Sequence, residues 1–296
     1  MTKEEVLIEA LPYIQTYEGK TFVIKFGGAV MVDENLKHTF AKDVTMLKKL
    51  GIHIVVVHGG GKEITKIANA FGIETKFING LRYTDEKMLE AVLMGLCSMN
   101  KEVTSLITKN GGNGIGLCGA DAGLIKAKRL QGEVDLGFVG DVVSVNVALL
   151  ELLMKHEMIP VVAPIGMGEQ GELYNINADT VASAVAIALK AEKLVYLSDI
   201  EGVMVDGARV PSLNKSQSNA LIAEGKIYGG MIPKVQSAFE AIESGVKKVH
   251  FIDGRIKHSL LLEVFTSDGV GTEITGENDV ARLVPEMMER DFNGKN

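Results

Sequence analysis

Short apolar runs alternate with amphipathic stretches along nearly the whole chain, and glycine clusters stand where the runs stop. Thr21–Phe26 (Thr-Phe-Val-Ile-Lys-Phe) is followed by Gly27-Gly28, and Ile52–Val57 (Ile-His-Ile-Val-Val-Val) runs into His58-Gly59-Gly60-Gly61. Runs this rich in β-branched and aromatic residues, with little polar alternation, predict strands buried on both faces. Further strands are expected at Ile159–Ala163, Leu194–Leu197 and Val249–Ile252. Helical spacing separates them. Leu36, Phe40, Val44 and Leu47 follow a capping Asp33, and Ile64, Ile67, Ala68 and Phe71 are closed by Gly72. Asp85 opens a helix through Met88, Val92 and Leu96; Val147–Met154, Ala178–Leu189, Pro233–Ile242 and Leu260–Phe265 are also helical. Gly123–Val145 reads as a hairpin region around Gly132 and Gly137. Such alternation predicts an α/β fold, a three-layer αβα sandwich with a mainly parallel open sheet. Ligands of such sheets gather at the carboxyl ends of the strands, where these glycine clusters fall.

Val6, Leu7, Ala10, Leu11 and Ile14 form a helical stripe across Lys3–Tyr17, which Pro12 should bend or interrupt. That stripe needs cover, from the body of the chain or from another subunit. A length of 296 residues suits one large domain or two lobes. The softest internal boundary is Leu189–Glu192, and no short repeat or low-complexity linker is evident. Lys plus Arg number 31 against 38 Asp plus Glu, a net charge of −7, which argues against a nucleic-acid partner. Two cysteines without a Cys-x-x-Cys pair, and six histidines, give neither a disulfide framework nor a structural zinc site. The start Met-Thr-Lys-Glu-Glu is unlike a signal peptide, and no stretch approaches the ~18 apolar residues of a membrane span. The expected location is cytoplasmic, with no membrane partner.

Familiar phosphate motifs are absent. Gly61-Lys62-Glu63 and Gly19-Lys20-Thr21 both lack the first glycine of a Walker A loop. Gly114-Ile-Gly-Leu-Cys-Gly119 has the letters of a dinucleotide fingerprint in the wrong context, and a structural turn is expected there. The protein-kinase loops are missing as well.

Other residues carry the chemistry. Lys25 lies inside an apolar strand, so it must pair, reach solvent or serve an anion beside Gly27-Gly28. Gly59-Gly60-Gly61 exceeds the needs of a tight turn and lets backbone N–H groups approach a phosphate or carboxylate at a helix start. Arg82 is either a surface arginine or a bidentate carboxylate ligand. Asn175-Ile-Asn177-Ala-Asp179 is either a helix cap or a polar site. Ser198-Asp199 ends a strand and could meet a nucleotide. In Gly229-Gly230-Met-Ile-Pro-Lys234 a lysine stands at a helix start, where the dipole disfavours it unless it is solvated or holds a phosphate. Two lysines, glycine loops and an aspartate able to orient them suit in-line phosphoryl transfer, which needs positioning and charge neutralisation. An attacking substrate carboxylate is already ionised and needs no general base.

The stretches Ile24-Lys-Phe-Gly-Gly28, Val57-His-Gly-Gly-Gly61, Asn79-Gly-Leu-Arg82, Asn175–Asp179, Leu197-Ser-Asp199 and Gly229–Lys234 occur in this order. Together they resemble the amino acid kinase family, and within it the branch that phosphorylates the side-chain carboxylate of N-acetyl-L-glutamate with ATP in arginine synthesis. The resemblance implies that Lys25 and Lys234 stabilise the transition state and that Asp179 orients both. It implies that Gly60, Gly61, Arg82 and Asn175 bind the amino acid, and that Gly27, Gly28, Ser198, Asp199 and Gly230 bind the nucleotide. Mg2+ would come with ATP, and no resident metal is implied. The implied divisions are an oligomerisation helix (1–20), an amino-acid lobe (21–190) and a nucleotide lobe (191–296). The helix is similar to that of arginine-inhibited members assembled as hexamers, trimers of dimers. Lys248–Arg255, Leu261–Phe265 and Gly271–Glu273 are similar to their arginine-site region, which makes His250, Glu263 and Gly269 candidate contacts. Their plainer readings are a strand-end histidine, a helix-surface carboxylate and a turn glycine. A PII-type signalling protein is a further partner that the resemblance raises. Two alternatives stand beside this reading: a non-catalytic arginine sensor on the same fold, and a sibling kinase with another acid substrate.

Overall fold

The computed structural model describes residues 3–277. In chain order the first half comprises α1 (Lys3–Tyr17), β1 (Thr21–Phe26), α2 (Glu34–Lys49), β2 (His53–His58), α3 (Gly61–Ala70), β3 (Phe77–Ile78), β4 (Leu81–Arg82) and α4 (Glu86–Lys109). There follow β5 (Gly114–Leu117), β6 (Ile125–Arg129), β7 (Gly140–Val145), α5 (Val147–Lys155), β8 (Ile159–Val162), β9 (Ile165–Met167), β10 (Leu173–Asn175) and α6 (Ala178–Ala188). The last part holds β11 (Lys193–Ser198), β12 (Met204–Val205), β13 (Ala208–Arg209), β14 (Ser212–Leu213), α7 (Lys215–Ala223), α8 (Met231–Glu243), β15 (Lys248–Asp253), α9 (Ser259–Phe265) and β16 (Thr272–Ile274).

The main sheet has eight strands in the order β14-β16-β15-β11-β1-β2-β8-β5. Every pairing in it is parallel except β15 with β16. Its central strands send alternate residues into two different cores. Val23, Val55, Val57, Leu194 and Tyr196 meet Leu150, Val181, Val185, Val235 and Phe239 of α5, α6 and α8 on one face. Phe22, Ile24, Phe26, Ile54, Val56, Val195 and Leu197 meet Phe40, Val44, Leu47, Val103, Leu260 and Val264 of α2, α4 and α9 on the other. Two covered faces explain why the central strands are apolar at nearly every inner position, Lys25 apart, and the three-layer expectation is met. The expected hairpin is β6 with β7, which belongs to a second, four-stranded sheet ordered β10-β9-β6-β7.

Two expectations need correction. Helix α1 runs unbroken through Pro12. Proline removes the N–H that would reach the Ile8 carbonyl, but this turn is exposed (Ile8 66%, Leu11 54%), so solvent can serve that carbonyl. The inward face is carried by Tyr13 and Tyr17, Leu11 points outward, and the side chains of Val6 and Leu7 lie outside the described residues. Gly114–Leu117 is not a turn but the edge strand β5. A Cβ at Gly116 would lie 2.0 Å from Asn100 Oδ1 and one at Gly114 3.0 Å from the Thr104 carbonyl, so those glycines let β5 press against α4. Residues 278–296 of the third predicted division lie outside the described residues.

Candidate active site

Parallel pairing of β1 with β2 sets Phe26 beside His58, so the two glycine loops leave the sheet side by side at the carboxyl ends of neighbouring strands. Gly59 N–H donates to the Phe26 carbonyl at 2.9 Å, and a Cβ on Gly59 would lie 3.8 Å from the Gly27 Cα. A cleft of about 770 Å³ opens above them, lined by Lys25, Gly27, Gly28, Gly60, Gly61, Arg82, Asn175 and Asp179 among others. Loop glycines, the lysine strand and the cap of α6 therefore meet in one place.

Lys25 and Asp179 line its floor, and Lys234 reaches Asp179 from beside it. Asn177 caps α6 and accepts from the Asp179 N–H at 2.7 Å, which points the Asp179 side chain outward from the first turn. Asp179 Oδ1 is 2.8 Å from Lys25 Nζ, and Oδ2 is 3.3 Å from Lys234 Nζ. Lys234 arrives from the opening of α8. Burial works to raise the Asp179 carboxyl, but the two ammonium groups outweigh it and hold the group below the usual carboxylate range. Lys25 curls back over its own strand end, where a Cβ at Gly27 would stand 2.5 Å from Nζ. Only glycine leaves the lysine that path.

Arg82 is buried, against the surface-arginine reading. Its Nη2 donates to the Gly61 carbonyl and Thr65 Oγ1, each at 2.9 Å, and Nη1 donates to Thr75 Oγ1 at 3.3 Å. Phe77 covers its face at 4.8 Å. The guanidinium is thus fastened to the first turn of α3 while bordering the cleft. Asn175 Nδ2 donates to Thr84 Oγ1 at 3.1 Å. Gly61 opens α3 with no atom within 4 Å of a would-be Cβ, so the helix start faces free space.

Lys234, Ser198, Asp199 and Gly230 do not line this cleft; they stand beside it at the ends of β11 and α8. Asp199 faces Gly28, whose φ of +68° suits glycine and whose Cβ would fall 3.1 Å from Asp199 Oδ1. His250, Glu263 and Gly269 are elsewhere. His250 is buried mid-strand in β15, with Nδ1 2.8 Å from Glu263 Oε1 and Nε2 2.9 Å from Lys193 Nζ. Glu263 is buried rather than on a helix surface, and its Oε2 accepts from the N–H groups of Val270 and Gly271 at 2.7 and 2.8 Å. Gly269 is a turn glycine with φ +54°. Burial first, then the Lys193 charge, lowers the His250 pKa against the pull of Glu263 and Glu273. Lys193, Glu273 and Tyr17, whose ring lies 5.0 Å from Lys193 Nζ, complete the cluster; Glu273 ends the Gly271–Glu273 stretch named above, whereas Lys193 and Tyr17 were missed. A lysine at the mouth of an apolar strand was the signal that could have found Lys193. His58, Asn100, Thr84 and the Lys37–Glu102 pair at the cleft edge were also missed.

The fold and site define a class: an αβα sandwich in which two chain-distant lysines pair with one aspartate beside a glycine-lined cleft at the strand ends. The amino acid kinase family matches residues 20–253, and the chain belongs to that family. The chain is 51% identical over 292 residues to the acetylglutamate kinase of Aquifex aeolicus (strain VF5), covering 93% of this chain and 98% of that one. Among solved structures it is similar to the N-acetylglutamate synthase of Neisseria gonorrhoeae complexed with coenzyme A and N-acetyl-glutamate. That likeness has a TM-score of 0.84 at 25% identity and covers 94% of this chain but 65% of the synthase. The same synthase is known complexed with coenzyme A and L-arginine, at TM-score 0.79 and 26% identity over 93% of this chain and 66% of that one. Carbamate kinase from Giardia lamblia shares the fold at TM-score 0.63 and 17% identity, over 88% of this chain and 99% of its own.

Proposed function

We infer that the chain transfers the γ-phosphoryl group of ATP to the side-chain carboxylate of N-acetyl-L-glutamate, a step of arginine biosynthesis. One observation carries the chemistry: two lysines 209 residues apart in sequence (25 and 234) hold the two oxygens of one aspartate at the lip of a glycine-lined cleft. The substrate identity is supported by the relatives at about half identity over nearly the whole chain. Lys25 and Lys234 neutralise charge on the migrating group, and Asp179 keeps both in place. Gly60, Gly61, Arg82 and Asn175 hold the amino acid; Gly27, Gly28, Ser198, Asp199 and Gly230 hold the nucleotide. The proposed divisions are an amino-acid lobe (21–190), which also lends Gly27 and Gly28 to the nucleotide, and a nucleotide lobe (191–296). Mg2+ enters on ATP; among the described residues no three His, Cys, Asp or Glu side chains gather to hold a metal themselves.

Incubation with Mg-ATP, N-acetyl-L-glutamate and hydroxylamine should trap the acyl phosphate as a hydroxamate. No product from this substrate, with good yield from aspartate or another acid, would reject the assignment in favour of a sibling kinase.

Arginine is proposed as a feedback inhibitor, supported by the arginine complex of the related synthase and by the buried His250–Glu263 cluster beneath α1. Residues 1–20 would link subunits into a hexamer. Among the described residues no helix is long and apolar enough to cross a membrane, and we place the enzyme in the cytoplasm. A PII-type protein is the remaining proposed partner. Arginine binding by calorimetry without ATP turnover would favour a sensor over an enzyme.

A further inference from the structure

His58 and Asn100 are fully buried polar side chains that no step above uses. His58 is the last residue of β2, immediately before Gly59-Gly60-Gly61. Its Nδ1 lies 2.7 Å from the Gly59 carbonyl, and its Nε2 lies 3.2 Å from Asn100 Nδ2. Asn100 comes from the buried face of α4 and its Nδ2 also donates to the Val161 carbonyl at 2.8 Å. A carbonyl at that distance identifies the nitrogen end of the amide, so His58 Nε2 must accept and Nδ1 must carry the proton. One tautomer satisfies the whole set.

The same loop is gripped from its other end, where Arg82 donates to the Gly61 carbonyl. Three glycines offer no side chain with which to fix their own path, so side-chain donors from outside the triplet hold the loop: Nδ1–H at Gly59, and the Arg82 guanidinium with the Thr65 hydroxyl at Gly61. Gly116 fits this account, because a Cβ there would strike Asn100 Oδ1 at 2.0 Å.

We propose that His58, held as its Nδ1–H tautomer by Asn100, is a positioning residue that presets the Gly59–Gly61 backbone for the acidic substrate. Burial keeps its imidazole neutral, with a pKa pushed down to about 4, so the arrangement persists across physiological pH. The inference rests on the proposed amino-acid subsite.

An amide pair separates this role from simple core packing. Asparagine reaches only as far as Nδ1 and can still donate to the Gly59 carbonyl. Glutamine reaches Nε2 and keeps the Asn100 partner but loses that donor. His58→Asn should therefore keep the KM for N-acetyl-L-glutamate within about threefold, while His58→Gln raises it by about tenfold with the KM for ATP unchanged. Thermal stability should rank the other way, because the Asn variant leaves a small cavity and strips Asn100 of a partner. A glutamine variant whose KM equals or betters that of the asparagine variant overturns the proposal. Nitrogen-15 NMR of the wild-type imidazole provides a second decision that needs no variant: protonation at Nε2 instead of Nδ1 also overturns it. Absence of hydroxamate from the wild type would instead reject the underlying substrate assignment.

Discussion

Replacing each lysine by methionine, which keeps length and removes charge, tests the paired-ammonium site most directly. Lys25 is both nearer to Asp179 (2.8 against 3.3 Å) and better shielded (13% against 36% exposed). At equal dielectric the more distant pair interacts with about 2.8/3.3, or ~0.85, of the energy of the nearer one, and burial widens the gap. Losing one preorganised charge at a developing anion typically lowers kcat ~10²–10³-fold, about 2.7–4 kcal/mol. Both variants should fall in that range in the hydroxamate assay, with the KM for N-acetyl-L-glutamate changed far less. Carbon-13 NMR of the Asp179 carboxyl should show its pKa rising in both, and further in Lys25→Met, because burial then acts against a single remaining counter-charge. If Lys25→Met keeps kcat within about threefold of the wild type, or if the Asp179 titration does not move, the paired-lysine account is wrong.

Three further outcomes are expected. Gly28→Ala forces a Cβ into φ +68° and to 3.1 Å from Asp199 Oδ1, a strain of ~1–2 kcal/mol that should raise the KM for ATP more than that for the acid in steady-state kinetics. Arg82→Lys gives up the fork that reaches Gly61, Thr65 and Thr75 together, so calorimetry should show N-acetyl-L-glutamate binding weakened about tenfold or more. Since the folded Asp179 carboxyl sits below its ordinary value of 3.8, its contribution to stability is complete above that pH and is lost as pH falls through the lower folded value. Thermal scans of the wild type should therefore steepen downward below about pH 4, and those of Asp179→Asn should lack that component.

How much of this was legible in the sequence depended on contrast. Lys25, Asp179 and Lys234 stood out because each interrupts its local rule: a charge in an apolar strand, a carboxylate in a run of small apolar residues, a cation at the wrong end of a helix. The β1, β2 and β11 strands were readable because covered faces on both sides demand apolar residues along most of their length. Asn100 was invisible for the opposite reason. A single amide in a long amphipathic helix looks like part of the polar face, and only the fold turns it to the carbonyl of Val161. His250 and Glu263 were found by resemblance, yet their partner Lys193 was not, since no glycine loop adjoins it. Helix α7 also went unread. Lys-Ser-Gln-Ser-Asn-Ala-Leu-Ile-Ala has weak apolar periodicity, although its reciprocal cap, Asn214 with Gln217, was there to be seen. The two-residue pairings β3–β4 and β12–β13 are too short to carry any pattern.

The two polar centres of the molecule lie toward opposite ends of one strand. Lys193 opens β11 within the buried His250–Glu263–Glu273 cluster, whereas Ser198 and Asp199 end it beside Gly28. At ~3.3 Å per residue the step from 193 to 199 is about 20 Å, so a ligand at the cluster does not touch the reacting phosphoryl group. Any control it exerts must pass through an element with two arrangements. The strands between are packed on both faces and leave little room for one. The helices over the second core are better placed. Glu263 lies on α9, and His258, at the start of α9, meets Asp43 of α2 at 2.6 Å. The same α2 carries Glu34 and Lys37 to the edge of the cleft, where Lys37 pairs with Glu102 of α4. His258 stands at this junction in the left-handed region, with φ +60°. The α9–α2 contact is thus the link between the buried cluster and Lys37 at the cleft edge through which the proposed arginine control would have to run.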